Sequence, residues 1–193
     1  MIRLALLRHG HTAWNREGRV QGRSDIPLDP EARDALARLA LPAPWDQAEL
    51  VSSPLLRARE TARLVSDRHP LEVAALTEMH WGDWEGRRAV DLRADPACDH
   101  RDIESWGWHY RPPGGESPAE VRDRLSPWLE GLRSDTVAVC HIGVMRVLMA
   151  LATGWHFDGP APFTVKRNRL FILEGAAGRW TLAPDPVRLE ARP

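Results

Sequence analysis

At 193 residues with a formal net charge of -1, the chain has room for one α/β domain with a sizeable core, and its charge gives no reason to expect nucleic acid as a partner. No run approaches the ~20 apolar residues needed to cross a bilayer, so no membrane partner is expected. Lys166 is the sole lysine and no Gly-Lys-Ser/Thr occurs, which excludes a P-loop nucleotide site, and the only cysteines, Cys98 and Cys140, lack metal-type spacing.

Residues 2–7 read as a buried strand of a parallel sheet. Bracketed by Arg3 and Arg8, this short run lacks the form of a signal peptide, and a cytoplasmic protein is expected. Residues 11–29 are polar, with Gly18, Gly22 and Pro27, and predict a loop. Asp29-Pro30 predicts the cap and first position of a helix running to about Leu41, with Leu36, Leu39 and Ala40 as its apolar stripe. A second strand, Glu49–Ser52, leads to a helix expected from Ser53 as N-cap, with Pro54 at its first position, to about Arg68. Leu71–Leu76 predicts a further strand. From Glu78 to Gly115 the chain is irregular and rich in Trp and Pro, with a short helix expected near 88–94. Ser117-Pro118-Ala119-Glu120 is a capping box that opens a helix to about Arg133. Thr136–Cys140 is the clearest strand; His141-Ile142-Gly143 follows, then a helix from Val144 to about Thr153. Phe163–Leu182 alternates as a hairpin does, with Gly175 and Gly178 near the turn. Strands alternating with helices, without linker or repeat, predict a single domain over residues 1–193. The fold class expected is a three-layer α/β/α arrangement with a mainly parallel central sheet.

Three strand-to-helix junctions carry unusual polar residues: Arg8-His9-Gly10, Ser52-Ser53-Pro54 with Arg57, and His141-Ile142-Gly143. Ligands of open α/β sheets bind beyond the carboxyl ends of the strands. Two arginines, two histidines and helix N-termini on that edge would make a phosphate pocket. Each residue alone has a plainer reading, Arg57 as a solvated surface residue and His141 as a hydrogen-bonded structural one. His9 and His11 could pair on a metal, but no third ligand stands at helical or loop spacing, and no metal is expected. Trp84 is expected in the core. For Trp81, Trp106, Trp108 and Tyr110 two readings stand, the wall of a substrate mouth or the filling of a core.

The motifs occur as an ordered set. They are Arg8-His9-Gly10-x-Thr12-x-Trp14-Asn15, Gly18-Arg19-x-Gln21-Gly22-x-x-Asp25-x-Pro27-Leu28, Ser52-Ser53-Pro54-Leu55-x-Arg57-Ala58-x-x-Thr61-Ala62, Glu78 through Gly86, Pro113 through Ser117, and His141-x-Gly143-Val144-x-Arg146. With them the chain resembles the histidine phosphatase superfamily, the phosphoglycerate-mutase-like proteins, over nearly its whole length. The resemblance implies a phosphoglycerate-mutase-like fold, no cofactor, and a set of roles. His9 would be the nucleophile that becomes a phosphohistidine. Arg8, Arg57 and His141 would hold phosphate oxygens, and Asn15 would add a hydrogen bond. Glu78 would be the general acid, and Gln21 and Gly22 would line the substrate mouth. Two departures from the family pattern, Ile142 after the second histidine and Ala32 and Ala35 in the first helix, remove no catalytic side chain.

The expected function is therefore a metal-independent phosphomonoesterase acting on a small phosphorylated metabolite. The chain is shorter than family mutases usually are, which favours water as acceptor, and the branch it looks like implies α-ribazole phosphate as a candidate substrate. The alternatives are phosphoglycerate-mutase-type transfer and a non-catalytic phospholigand-binding regulator, against which the presence of Glu78 argues. The expected partner is a small-molecule phosphate ester, and a homodimer is left open.

Overall fold

The apolar run near the start folds as β1 (Ile2–Arg8), and its two faces are both buried, Leu4 and Leu6 on one, Ala5 and Leu7 on the other. The computed structural model describes residues 1–176 and 178–192. After β1 come α1 (Ala13–Arg16), α2 (Pro30–Ala37), β2 (Leu39–Ala40), β3 (Glu49–Ser52), α3 (Leu56–Ser66) and β4 (Leu71–Glu72). Next are α4 (Ala89–Ala94), α5 (Pro118–Gly131), β5 (Thr136–Cys140) and α6 (Ile142–Thr153). The chain closes with β6 (Arg169–Ala176), β7 (Arg179–Leu182), β8 (Val187–Arg188) and β9 (Glu190–Ala191).

The main sheet has the order β4-β3-β5-β1-β6-β7, with β8 also paired to β6. Strands β4, β3, β5 and β1 pair in parallel. Because β6 is antiparallel to β1, and β7 and β8 are antiparallel to β6, β6 alone runs against the rest. A strand buried on both faces has to be covered twice, and the side-chain alternation divides the core accordingly. Leu4, Leu6, Ala138 and Cys140 pack with Val121 and Leu125 of α5 and Val144 and Leu148 of α6. Ala5, Leu7, Val137 and Val139 pack with Leu36 of α2 and Ala58, Ala62 and Val65 of α3. The fold is thus a three-layer α/β/α arrangement with a mainly parallel central sheet.

Several boundaries differ from the sequence expectations. The polar loop contains α1, capped by the Thr12 hydroxyl with Asn15 closing a capping box. Helix α2 stops at Ala37, because Leu39 and Ala40 are drawn into an antiparallel pair with β9 near the other end of the chain. Ser53 does not cap α3. Leu55 holds the cap position, and the Leu56 N–H is met by Asp25 Oδ1 at 2.7 Å, from a loop far away in sequence. The strand expected over 71–76 is only β4, and Ala74–Leu76 turns instead as a 3-10 helix that buries Leu76. The late hairpin begins at Arg169 rather than Phe163. Gly175 lies within β6 opposite Trp180, whose ring stands 2.8 Å from where a Cβ would be, so it serves close packing and not the turn.

Candidate active site

The parallel register sets the carboxyl ends of β1, β5 and β3 side by side. The His9 N–H donates to Cys140 O at 3.0 Å and the Ser53 N–H to Val139 O at 2.9 Å. That places the His9 and His141 rings with centroids 5.1 Å apart, and both residues are buried. His9 Nδ1 lies 2.6 Å from Gly10 O. A carbonyl only accepts, so Nδ1 carries the proton and Nε2 keeps a free lone pair. His141 Nε2 is 2.7 Å from Ser53 Oγ, and its buried Nδ1 has no partner. This bond uses the hydroxyl that the sequence suggested as a helix cap.

Gly10 is needed for packing. A Cβ there would come 2.6 Å from Leu36 Cδ1 and 3.1 Å from Leu28 Cδ2, facing the α2 layer. Its carbonyl fixes His9, and its N–H donates to Thr61 Oγ1 at 3.0 Å. The space its missing side chain leaves is filled by core leucines.

Cations surround His9. Arg57, wholly buried, donates from its two Nη atoms to Gly22 O at 2.7 Å and Ser24 O at 2.8 Å, while its buried Nε has no partner. Arg8 also has a buried, unpartnered Nε. A third guanidinium, Arg167, donates from Nε to His9 O at 3.1 Å and from Nη2 to Asn15 Oδ1 at 2.9 Å. Asn15 Oδ1 also accepts the Thr12 N–H at 3.2 Å. With two donors on Oδ1 the amide is oriented, and its NH2 is left over as a donor. Sequence reasoning did not find Arg167, which lies in the irregular segment before β6 and carries no motif.

The mouth is built by residues 21–24. Gln21 is buried and its Oε1 accepts the Thr12 hydroxyl at 2.9 Å. Gly22 has φ +54°, and a Cβ there would fall 1.9 Å from Glu85 Oε1. Glu85 in turn accepts the N–H groups of Arg23 and Ser24 and the Ser24 hydroxyl, at 2.8, 2.9 and 2.7 Å. Gly22 and Gln21 thus act largely by shaping the loop whose carbonyls hold Arg57.

Glu78 lies buried against the N-terminus of α6. Its carboxylate accepts the N–H groups of Met79 at 2.8 Å, Gly143 at 3.2 Å and Val144 at 3.3 Å. A Cβ on Gly143 would stand 2.4 Å from Glu78 Oε1, so the contact requires glycine there. Burial raises the Glu78 pKa above the usual 4.5, against the pull of the Met79 and Gly143 N–H groups and of Arg57 and Arg8. Both imidazoles go the other way. Burial holds His9 and His141 well below 6.5, with the positive charge of Arg57 next in weight for each. Burial also lowers Arg8 to about 10 and Arg167 to about 9. The Cys140 thiol, likewise buried, is pushed up and takes the part of a small core residue.

All eight residues singled out in the sequence, Arg8, His9, Asn15, Gln21, Gly22, Arg57, Glu78 and His141, lie at or beside this edge of the sheet. Among the described residues, no group of three or more His, Cys, Asp or Glu side chains is placed to hold a metal ion. Trp84 and Trp106 are buried core, whereas Trp81 is only partly buried and lines a cleft next to the site.

The carboxyl edge of this α/β sheet thus carries a cationic pocket built around a buried histidine. A profile of the histidine phosphatase superfamily (branch 1) matches residues 4–184. The chain belongs to that superfamily. It is 34% identical over 175 residues to a glucosyl-3-phosphoglycerate phosphatase of Mycolicibacterium vanbaalenii, covering 81% of this chain and 76% of the relative. Among solved structures, a phosphoglycerate mutase of Thermus thermophilus aligns with TM-score 0.73 and 34% identity over 99% of this chain and 100% of that one. A mycobacterial glucosyl-3-phosphoglycerate phosphatase in complex with VO3 aligns with TM-score 0.80 and 28% identity, covering 98% and 100%.

Proposed function

We propose that this chain is a metal-independent phosphomonoesterase that hydrolyses a small phosphorylated metabolite through a phosphohistidine on His9. The observation that carries the reading is the Nδ1–H donated to Gly10 O at 2.6 Å, which leaves His9 Nε2 free for attack inside a ring of guanidinium groups.

Phosphoryl transfer asks for positioning and charge stabilisation rather than covalent machinery. Arg8, Arg57, Arg167, His141 and the Asn15 NH2 take the non-bridging oxygens. His9 Nε2 attacks phosphorus as the ester P–O bond breaks, and Glu78 gives its proton to the departing alkoxide. Water then attacks phosphorus and gives a proton to the Glu78 carboxylate as the P–Nε2 bond breaks with its electron pair returning to the ring, so phosphate leaves with His9 neutral and Glu78 protonated again. The electrostatics suit both partners: a lowered His9 pKa keeps the nucleophile unprotonated, and a raised Glu78 pKa keeps the acid protonated to higher pH. A dianionic substrate beside Glu78 would raise it further.

The same reading takes the chain as a single cytoplasmic domain that works on a small phosphate ester without nucleic acid or membrane. α-Ribazole phosphate and both phosphoglycerates are the first substrates to screen. Hydrolysis of p-nitrophenyl phosphate is expected to persist in EDTA, and rapid quench is expected to trap acid-labile, base-stable phosphate on His9. Strict loss on chelation with rescue by a divalent ion would overturn the metal-free mechanism, and unchanged turnover in His9→Ala would remove the nucleophile.

A further inference from the structure

A neutral imidazole carries one proton, and the nitrogen that holds it is a donor while the other is an acceptor. His141 is neutral at pH 7, because burial and then the charge of Arg57 hold its pKa well below 6.5. Its Nε2 lies 2.7 Å from Ser53 Oγ, and its buried Nδ1 has no partner among the described residues. Both side chains are wholly buried. An ionised phosphate oxygen only accepts, so a lone pair on Nδ1 would repel it and a proton on Nδ1 would bind it.

The other bond of the Ser53 hydroxyl discriminates between these two states. Leu55 donates its N–H to Ser53 Oγ at 3.2 Å. Were Nε2–H to donate there as well, Oγ would accept twice and its own proton would have no acceptor among the described residues. The Nδ1 lone pair would be left over too, and leaving buried polar groups unpaired is costly. If Ser53 instead donates to Nε2, the hydroxyl both gives and accepts, and the Nδ1–H is the single group left for a ligand. The hydroxyl is held firmly in place, because the Ser53 N–H donates to Val139 O at 2.9 Å, on the strand that leads into His141.

We propose that Ser53 is a positioning residue: its hydroxyl donates to His141 Nε2 and holds that histidine in the Nδ1–H tautomer, so that the ring's free nitrogen meets phosphate as a donor. The inference rests on the phosphatase reading and adds to it how His141 binds an anion without carrying a charge. His9 is fixed by the converse device. Its Nδ1–H is spent on Gly10 O, which leaves a lone pair on Nε2. A carbonyl behind one ring and a hydroxyl behind the other thus give two neutral histidines, with centroids 5.1 Å apart, the separate duties of nucleophile and donor.

Nitrogen NMR of the isotope-labelled protein at neutral pH reads the tautomer directly, with the His141 signals identified by their loss in His141→Gln. The resting wild type is expected to show a protonated Nδ1 and a bare Nε2, and saturation with inorganic phosphate should shift the Nδ1–H resonance. A proton on Nε2 would overturn the proposal, and so would an Nδ1–H that phosphate leaves unmoved. Ser53→Ala is expected to lose the fixed tautomer and to weaken inhibition by inorganic phosphate by roughly 10- to 100-fold, the worth of a hydrogen bond to a charged group. Weaker inhibition with the wild-type tautomer intact would mean that Ser53 serves only the start of α3 through Leu55. Should Ser53→Ala fail to fold, the wild-type spectrum still decides. A phosphate-sensitive Nδ1–H in a protein that hydrolyses no phosphate ester would sink the phosphatase reading and leave the role of Ser53 standing. Turnover through His9 with the His141 proton on Nε2 would do the reverse.

Discussion

Arg167 shows how a single side chain can serve a site from outside its motifs. One nitrogen bonds the carbonyl of His9 and another the amide oxygen of Asn15. Removing it would free the Asn15 amide to flip, since only the Thr12 N–H would still hold Oδ1. It would also take away one of the charges that keep His9 deprotonated. Arg167→Met is therefore expected to lower kcat/KM on p-nitrophenyl phosphate by roughly 10- to 100-fold and to weaken inhibition by inorganic phosphate. Arg167→Lys should recover part of the affinity but not the amide orientation, because an ammonium lacks the fork of donors. A Met variant with wild-type phosphate inhibition would assign Arg167 to packing. Nothing in the sequence marked this residue: it contacts His9 across 158 positions in sequence, and such a contact exists only once the sheet is assembled. Arg8, His9, Arg57 and His141 were legible because each sits on a strand-to-helix junction, where local pattern and chemistry coincide.

At the scale of elements, the decisive piece is the start of α6. Its first N–H groups have no intrahelical partner, and two of them, from Gly143 and Val144, are taken up by the Glu78 carboxylate. The helix end thus positions the proposed acid while burial keeps its pKa high. Gly143→Ala would put a methyl 2.4 Å from Glu78 Oε1 and 3.1 Å from Met79 Cβ, so the carboxylate has to move. Alkyl phosphates need protonation of a poor leaving group, and general acids contribute about 10²- to 10⁴-fold there. Both Gly143→Ala and Glu78→Gln are expected to lose most of their activity on alkyl phosphates and much less on p-nitrophenyl phosphate. Parallel losses on the two ester types would count against the general-acid role. The elements themselves were read well where periodicity and caps agree, as in β5 (Thr136–Cys140) and the Ser117 capping box of α5. They were misread where a distant partner decided: the α3 start, met by Asp25, and the β2–β9 pair, each only two residues long.

For the whole molecule, the site is a group of charged and titratable side chains set into the edge of a core, and that has a consequence for stability against pH. His9 and His141 are buried with pKa values well below 6.5, so both stay neutral in the folded chain. In the unfolded chain they titrate near ~6.5. Above that pH both states hold the same protons at these positions. As pH falls below it, the unfolded chain takes up protons that the folded chain refuses, and stability declines until the folded-state pKa values are reached. Each histidine can contribute a slope of up to about 1.4 kcal/mol per pH unit in that window. Glu78 has the opposite sign: its raised pKa gives a contribution present below 4.5 and lost as pH rises through the folded value. Urea unfolding between pH 7 and pH 5 should therefore show falling stability, and His141→Gln should flatten the slope by up to one proton's worth whatever its stability at pH 7. The comparison of slopes isolates the imidazole, because Glu78 and the exposed groups are common to both proteins. Identical slopes in the wild type and the variant would mean that His141 titrates alike in both states, which its complete burial beside Arg57 argues against.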